Sequence, residues 1–235
     1  MKIVATVRAK NEEANIERFC MSYQNIADTI LVADGGSTDR TVEIAEAIPK
    51  VKVKPFHLRM QVGGGHWINP QGRHVNFLID WALEEGADWI IFDDCDCVPN
   101  FLLKLQAKQW IDTANIRGNE AIYLRRVYFW GDDQIFPNLH KPNTSIWAWK
   151  KEVNVRALEA DPWHLTMKIA DLRPNGLHLQ FPLCLLHYSW PSPEATDEKL
   201  NFYRTSGVQP TAMHPEGFAG PKAPAEWFMS PYEPK

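Results

Sequence analysis

No apolar run in this 235-residue chain approaches the roughly 20 residues that a membrane-crossing helix needs. The Met-Lys-Ile-Val start leads straight into a strand-like segment. A soluble, cytoplasmic protein is the expectation. Cysteine is limited to Cys20, Cys95, Cys97 and Cys184. Cys20 falls on the apolar face of a predicted helix and Cys184 in the apolar run Phe181 to Leu186, so both read as small core residues. Cys95-x-Cys97 resembles half of a zinc site, but no second pair with ligand spacing follows, which favours reduced thiols. An excess of positive charge is also missing. Lys and Arg number 25 against 29 Asp and Glu, a net charge of −4, and no basic stretch exceeds Arg125-Arg126 or Lys150-Lys151. That balance counts against general nucleic-acid binding. There is no internal repeat and no Gly-x-x-x-x-Gly-Lys-Ser/Thr phosphate loop; Gly63-Gly64-Gly65 lacks that pattern.

What the chain does contain is an ordinary apolar content, enough for one sizeable core. Its first hundred residues alternate strand and helix signals. Lys2 to Val7 is a β-branched strand candidate, and Ile16, Phe19, Cys20 and Tyr23 follow at helical spacing. Thr29 to Ala33 reads as a buried strand broken by Asp34-Gly35-Gly36-Ser37-Thr38-Asp39, after which a helix runs from near Asp39 to before Pro49. Lys50 to Lys54 alternates lysine and valine, the pattern of an edge strand. Val75, Leu78, Ile79 and Ala82 mark another helix face. This βαβαβ order predicts an α/β fold with a mostly parallel, doubly wound sheet and ligands at the carboxyl ends of its strands. Ala121 to Trp130 is a long strand candidate in a second half rich in aromatic and proline residues.

The most informative segment is Trp89-Ile-Ile-Phe-Asp-Asp-Cys-Asp-Cys-Val-Pro99, an apolar run ending in Asp93, Asp94 and Asp96. Three carboxylates at the end of a buried strand repel one another unless a positive partner sits among them. Asp-x-Asp offers hard oxygen ligands suited to Mg²⁺ or Mn²⁺, and such an ion commonly holds phosphates. Exposed acids at a strand end are the plain alternative. Asp34 ends the neighbouring strand at the expected nucleotide pocket; satisfying its own turn is the plain alternative, but turn chemistry and a nucleotide contact are compatible, which favours binding. Thr6 and Arg8, at the end of the first strand, would line the same pocket.

The order of these motifs resembles that of family 2 glycosyltransferases with the GT-A fold. Val7-Arg8-Ala9-Lys10-Asn11-Glu12-Glu13 and then Ile30-Leu31-Val32-Ala33-Asp34-Gly35-Gly36-Ser37-Thr38-Asp39-Arg40-Thr41 are similar to that family's opening. Arg73 to Ala82 followed by Asp94-Cys95-Asp96 resembles its arginine-led helix and Asp-x-Asp strand. Leu185-Leu186-His187-Tyr188-Ser189-Trp190, with Lys199 and Tyr203, is similar to a segment of bacterial lipopolysaccharide-core-type members. The resemblance covers most of residues 1 to 205. It implies a Rossmann-like GT-A sheet with helices on both faces, and a metal-dependent, inverting transfer of sugar from a nucleotide-diphospho-sugar, UDP-sugar by default.

The resemblance also implies residue roles. Asp34 goes to the base, Arg73 to phosphate, Asp96 and His187 to Mn²⁺ or Mg²⁺, and Asp94 to ribose or a metal-bound water, with Asp93 behind them. Lys199 or Arg204 would reach the diphosphate, although solvated surface charges are the alternative. Gly63 to Gly65 reads as a mobile loop over the donor. The general base lies among Asp132, Asp133, Glu159 and Asp161; the segment Gly131 to Phe136 selects Asp133, with Asp132 in reserve. A nucleotidyltransferase and a non-catalytic carbohydrate-binding protein are the competing readings. The acceptor stays open: a glycan, a protein side chain or a modified nucleobase. Trp67, Trp130, Trp147, Trp149 and Trp163 lie near predicted loops, and most are assigned to the core. Residues 1–206 are expected to form one catalytic domain, with a nucleotide half of about 1–100 and an acceptor half of about 101–206. The proline-rich tail 207–235, with Trp227, Phe228, Met229 and Tyr232, is expected to dock on that domain or on a second subunit.

Overall fold

The computed structural model describes residues 1–130, 134–136, 144–159, 167–169, 175–180, 182–190, 197–198, 201–202, 204–206 and 223–224. Its first half is β1 (Ile3–Ala9), α1 (Ile16–Tyr23), β2 (Thr29–Asp34), α2 (Thr41–Glu46), β3 (Val51–Pro55), the short pair β4 (Met60–Gln61) and β5 (Trp67–Ile68), α3 (Gln71–Glu84) and β6 (Trp89–Phe92). β3, β2, β1 and β6 lie side by side and parallel. β1 and β2 are apolar on consecutive residues because the sheet is covered on both faces. Ile3, Ala5, Val7 and Ala9 pack with α1, α2 and a later helix, while Val4 packs with Val75, Leu78, Ile79 and Ala82 of α3 on the other side. β3 ends the row with its lysine–valine alternation half exposed, as an edge strand should.

The second half is more antiparallel. It comprises β7 (Cys97–Pro99), α4 (Phe101–Ile116), β8 (Ala121–Trp130), β9 (Gln134–Phe136), β10 (Thr144–Lys150), β11 (Val155–Ala157), β12 (Met167–Ile169), β13 (Gly176–His178), β14 (Cys184–Trp190) and β15 (Ala223–Pro224). β10 is inserted antiparallel between β6 and β8, and β14 runs parallel to β8 and antiparallel to β7. Trp147 and Trp149 of β10 are fully buried and serve the core, whereas Trp67 is 58% exposed. The Trp130 side chain and Trp163 lie outside the described residues. All four cysteines are buried and unbonded to one another. Burial pushes the Cys20 and Cys184 thiols up to about 12.

The two polar turns singled out in the sequence are zipped together. Asn11, at φ 55°, accepts the Thr38 amide on its side-chain oxygen at 2.8 Å and donates its own amide to Ser37 Oγ at 2.9 Å. The Glu12 amide donates to Thr41 Oγ1 at 2.7 Å, and the Glu13 amide to Asp39 Oδ2 at 3.1 Å. These bonds fix the carboxyl ends of β1 and β2 relative to each other, on the side of the sheet edge where the carboxylates gather.

Candidate active site

β1 and β6 pair in parallel with Thr6 opposite Phe92, so the residues just past each strand emerge side by side. Arg8 Nη2 donates to Asp94 Oδ1 at 2.8 Å. Arg126, on β8, reaches in from the other flank and donates through Nη1 to Asp94 Oδ2 at 3.3 Å and through Nη2 to Asp93 Oδ1 at 3.0 Å. Asp93 has no exposed surface; its Oδ1 also accepts the Asp94 amide at 3.0 Å, and its Oδ2 accepts the Tyr23 hydroxyl at 3.2 Å. Trp147 Nε1 donates in turn to the Tyr23 oxygen at 3.2 Å. Two guanidiniums therefore face two carboxylates, and the repulsion expected within Asp93-Asp94 is met by arginine.

The titrations follow from this packing. Burial raises the Asp93 carboxyl to about 6, against the pull of Arg126. Burial would raise Asp94 too, but Arg8 and then Arg126 outweigh it and hold that carboxyl well below the usual range. Burial likewise lifts Cys95 and Cys97 far above an ordinary thiol.

Asp96 stands apart from the arginine box. β14 pairs with β7 so that His187 lies opposite Cys97, and the Tyr188 amide donates to the Asp96 carbonyl at 2.8 Å. This register brings His187 Nε2 to 3.2 Å from Asp96 Oδ2. A carboxylate oxygen and an imidazole nitrogen at that separation match neighbouring ligands of an octahedral ion, which stand about 3 Å apart when each bond is roughly 2.1 Å. Cys97 Sγ lies in the same cluster, within 4.8 Å of the other two ligand atoms. The carboxylate oxygen and imidazole nitrogen of this pair suit a hard or borderline ion completed by ligand and water oxygens. The residues present fit Mg²⁺ or Mn²⁺ at Asp96 and His187. Asp94, also expected as a ligand, has both oxygens bonded to guanidinium nitrogens, and with Asp93 and Cys97 it forms a second group of side chains close enough to share an ion.

The remaining expected site residues fall in several places. Thr6 is fully buried and donates its hydroxyl to the Ile91 carbonyl at 2.9 Å, so it supports the β1–β6 pairing and not a pocket wall. Asp34 accepts the Gly36 amide at 3.0 Å, the Ser37 amide at 3.1 Å and the Ser37 hydroxyl at 2.6 Å, so it orders its own turn at the end of β2. Arg73 is exposed and pairs with Glu159 at 3.1 Å rather than pointing freely from the first turn of α3. Glu159, a general-base candidate, is taken up by that pair and by Asn76 Nδ2 at 2.9 Å. Arg204 is exposed on a helical turn packed against the Gly63–Gly65 loop. Lys199, Asp132, Asp133 and Asp161 lie outside the described residues. Arg126 went unrecognised as a site residue. Its signal is the Arg125-Arg126 pair following Ile122 and Leu124, which are buried in the same strand.

A parallel row of strands between helices, extended by antiparallel strands and carrying carboxylates at its carboxyl ends, defines a GT-A-type α/β protein. Residues 5–155 match the family model described as glycosyl transferase family 2. The chain belongs to that family. An uncharacterized glycosyltransferase of Rickettsia bellii is 54% identical over 56 residues, 23% of this chain and 19% of that protein. Its counterpart in Rickettsia felis is 50% identical over 56 residues, covering 23% and 20%. The matched segment thus spans about a fifth of these relatives' length. Among solved structures, S. aureus TarS 1-349 superposes with a TM-score of 0.55 at 16% identity, over 86% of this chain and 64% of that one. This last likeness is one of fold. No helix among the described residues is long and apolar enough to cross a membrane.

Proposed function

We propose that the chain transfers a glycosyl group, with inversion, from a nucleotide-diphospho-sugar to an acceptor hydroxyl in a metal-dependent reaction, with UDP-sugar the default donor. The observation that carries this reading is the Asp96–His187 pair at 3.2 Å, set beside the partly exposed Arg8 guanidinium at the carboxyl ends of β1 and β6. Asp96 and His187 would hold a divalent cation, Mn²⁺ or Mg²⁺, whose chemistry is to neutralise the charge that develops on the departing diphosphate.

The protein's own groups do the rest. Arg126 and Arg8 clamp Asp94, fixing both guanidiniums in the pocket at no reorganisation cost when negative charge arrives. Arg8 keeps 26% of its side chain exposed and so can face a phosphate or ribose oxygen while holding Asp94. Asp93, tied to Tyr23 and Arg126 beneath, keeps that clamp in register. The acceptor hydroxyl must lose its proton to a carboxylate on the face opposite the leaving group. Asp133, with Asp132 in reserve, is the proposed base. The described strands on either side of it, β8 and β9, pair with each other, and β8 runs beside β14 with Tyr128 opposite His187. Lys199 and Arg204 are proposed to contact the diphosphate. Residues 1–206 are proposed as the catalytic domain, with the tail docked on it; the pairing of β15 with β9 supports that docking.

The test is transfer or hydrolysis of nucleotide-sugars with Mn²⁺ and with EDTA. Asp96→Asn and His187→Ala are expected to lower turnover by roughly 10²-fold or more, as does the metal's removal. Full turnover in Asp96→Asn with EDTA present would refute the metal assignment.

A further inference from the structure

Beside its apolar face, α1 carries a polar flank. Asn15, Arg18 and Ser22 recur at i, i+3 and i+7, so they share one side of the helix. Asn15 and Arg18 are half-buried and Ser22 is buried. Arg18 brings the charge. Its guanidinium carbon lies 4.0 Å from the centroid of the Tyr188 ring on β14. Its Nη2 donates to Asn15 Oδ1 at 2.6 Å, and Asn15 Nδ2 donates in turn to Glu12 Oε2 at 2.8 Å. The other two nitrogens are spare: Nε is buried with no hydrogen bond, and none to Nη1 is found among the described residues. No ion pair to Arg18 is found among the described residues either, which sets it apart from Arg8, Arg73 and Arg126. A guanidinium held in place by a ring and an amide, with donors left over and no counter-charge, is built to receive an anion.

This flank borders the Asp96–His187 pair. Tyr188 follows His187 in the chain, and its amide donates to the Asp96 carbonyl at 2.8 Å. Burial is the main cause of the raised Cys95 thiol; Asp96 adds to it and Arg18 opposes it, so both charges lie close to Cys95. β14 belongs to the second half of the sheet, beside β7 and β8, whereas Arg8 ends a strand of the parallel row. With the donor diphosphate at Arg8 and the Asp96–His187 pair, the β14 side is left for the acceptor; assigning the anion to the acceptor rests on that donor-site reading.

We propose that Arg18, braced by Tyr188 and Asn15, binds a phosphate or carboxylate group of the acceptor, so that the acceptor is an anionic molecule. Inorganic phosphate and acetate would be titrated, in EDTA and without nucleotide, into wild type, Arg18→Gln and Arg18→Lys, and UDP with Mn²⁺ into the same three proteins. Wild type is expected to bind at least one of the two anions, Arg18→Gln to bind it about ten-fold more weakly and Arg18→Lys to keep part of the affinity, with UDP bound alike by all three. Absence of anion binding in wild type, or equal binding by Arg18→Gln, would overturn the proposal. A parallel loss of UDP affinity would make Arg18 a ligand of the donor and overturn it too. A wild type that binds phosphate through Arg18 but none of UDP, GDP, CDP and dTDP overturns the donor-site reading, and with it the assignment of the anion to the acceptor. Transfer assays with sugar phosphates, uronic acids and neutral sugars then separate the two sources: KM for the preferred charged acceptor should rise about ten-fold in Arg18→Gln, and neutral sugars used as efficiently as either charged class would contradict the proposal. The unliganded melting temperature of both variants reports on the fold, and Arg18→Lys retains the charge.

Discussion

Arg126 shows how much one side chain can decide. It gives Asp93, which has no exposed surface, its guanidinium partner, and it shares Asp94 with Arg8. Removing one member of a buried ion pair leaves the other charge uncompensated, which costs more than the pair contributes. Arg126→Met is expected to destabilise the protein by about 3 kcal/mol in denaturant unfolding, and Asp93→Asn added to it should restore at least half. A single variant within about 0.5 kcal/mol of wild type would mean that Asp93 simply takes up a proton at little cost. His74 makes a second residue-scale case. It is 3% exposed, stacks on Phe56 at 4.2 Å and bonds the Ala33 carbonyl at 2.9 Å; burial, then the charge of Arg8, lowers it to about 4. Its folded pKa lies below the unfolded value of about 6.5, so its contribution is present above that pH and is lost as pH falls toward 4. Unfolding free energy should fall by roughly 2–3 kcal/mol between pH 7.5 and 4.5 on this account alone. His74→Gln should lack that part of the slope; an identical slope in the variant would contradict it. The strand-end carboxylates were legible in the sequence, but their partners were not, because Arg8 and Arg126 meet Asp94 from 86 and 32 residues away.

At the scale of elements, periodicity worked where an element buries one clean face. The spacing of Ile16, Phe19, Cys20 and Tyr23 marks α1, and that of Val75, Leu78, Ile79 and Ala82 marks α3. α4 escaped because its pattern is blurred: Leu103, Ala107, Ile111 and Ala114 face the core while Leu105 and Ile116 remain 67% and 84% exposed. Its one clear signal is the cap, where Asn100 accepts the Leu103 amide at 3.0 Å. The second half was harder still, since β10 and β14 gain their places by long-range pairing that no local pattern encodes. α3 also shows what an element demands of its neighbour. A Cβ on Gly72 would stand 2.1 Å from the Leu158 carbonyl oxygen, beside the paired bonds between Asn76 and Ala157 at 2.8 and 3.1 Å. Gly72→Ala is expected to push the segment after β11 off the helix and cost about 1–3 kcal/mol by urea unfolding. Unchanged stability would show that this contact yields freely.

For the whole molecule, the βαβαβ rhythm set the parallel row and the edge position of β3, and with them the end of the sheet where ligands gather. The same architecture separates two tasks that the sequence alone ran together. Asp93 and Asp94 are paired with arginines, while Asp96 and His187 form the pair proposed to hold an ion. That division is the central claim, and nucleoside-diphosphate binding tests it most directly. Calorimetric titration of UDP, with GDP, CDP and dTDP as alternatives, would be run with Mn²⁺ and with EDTA on wild type and Asp96→Asn. The account predicts that one diphosphate binds wild type in Mn²⁺ and loses at least about ten-fold in affinity, or 1.4 kcal/mol, both in EDTA and in Asp96→Asn. Binding that is equally tight with EDTA and in the variant would contradict it.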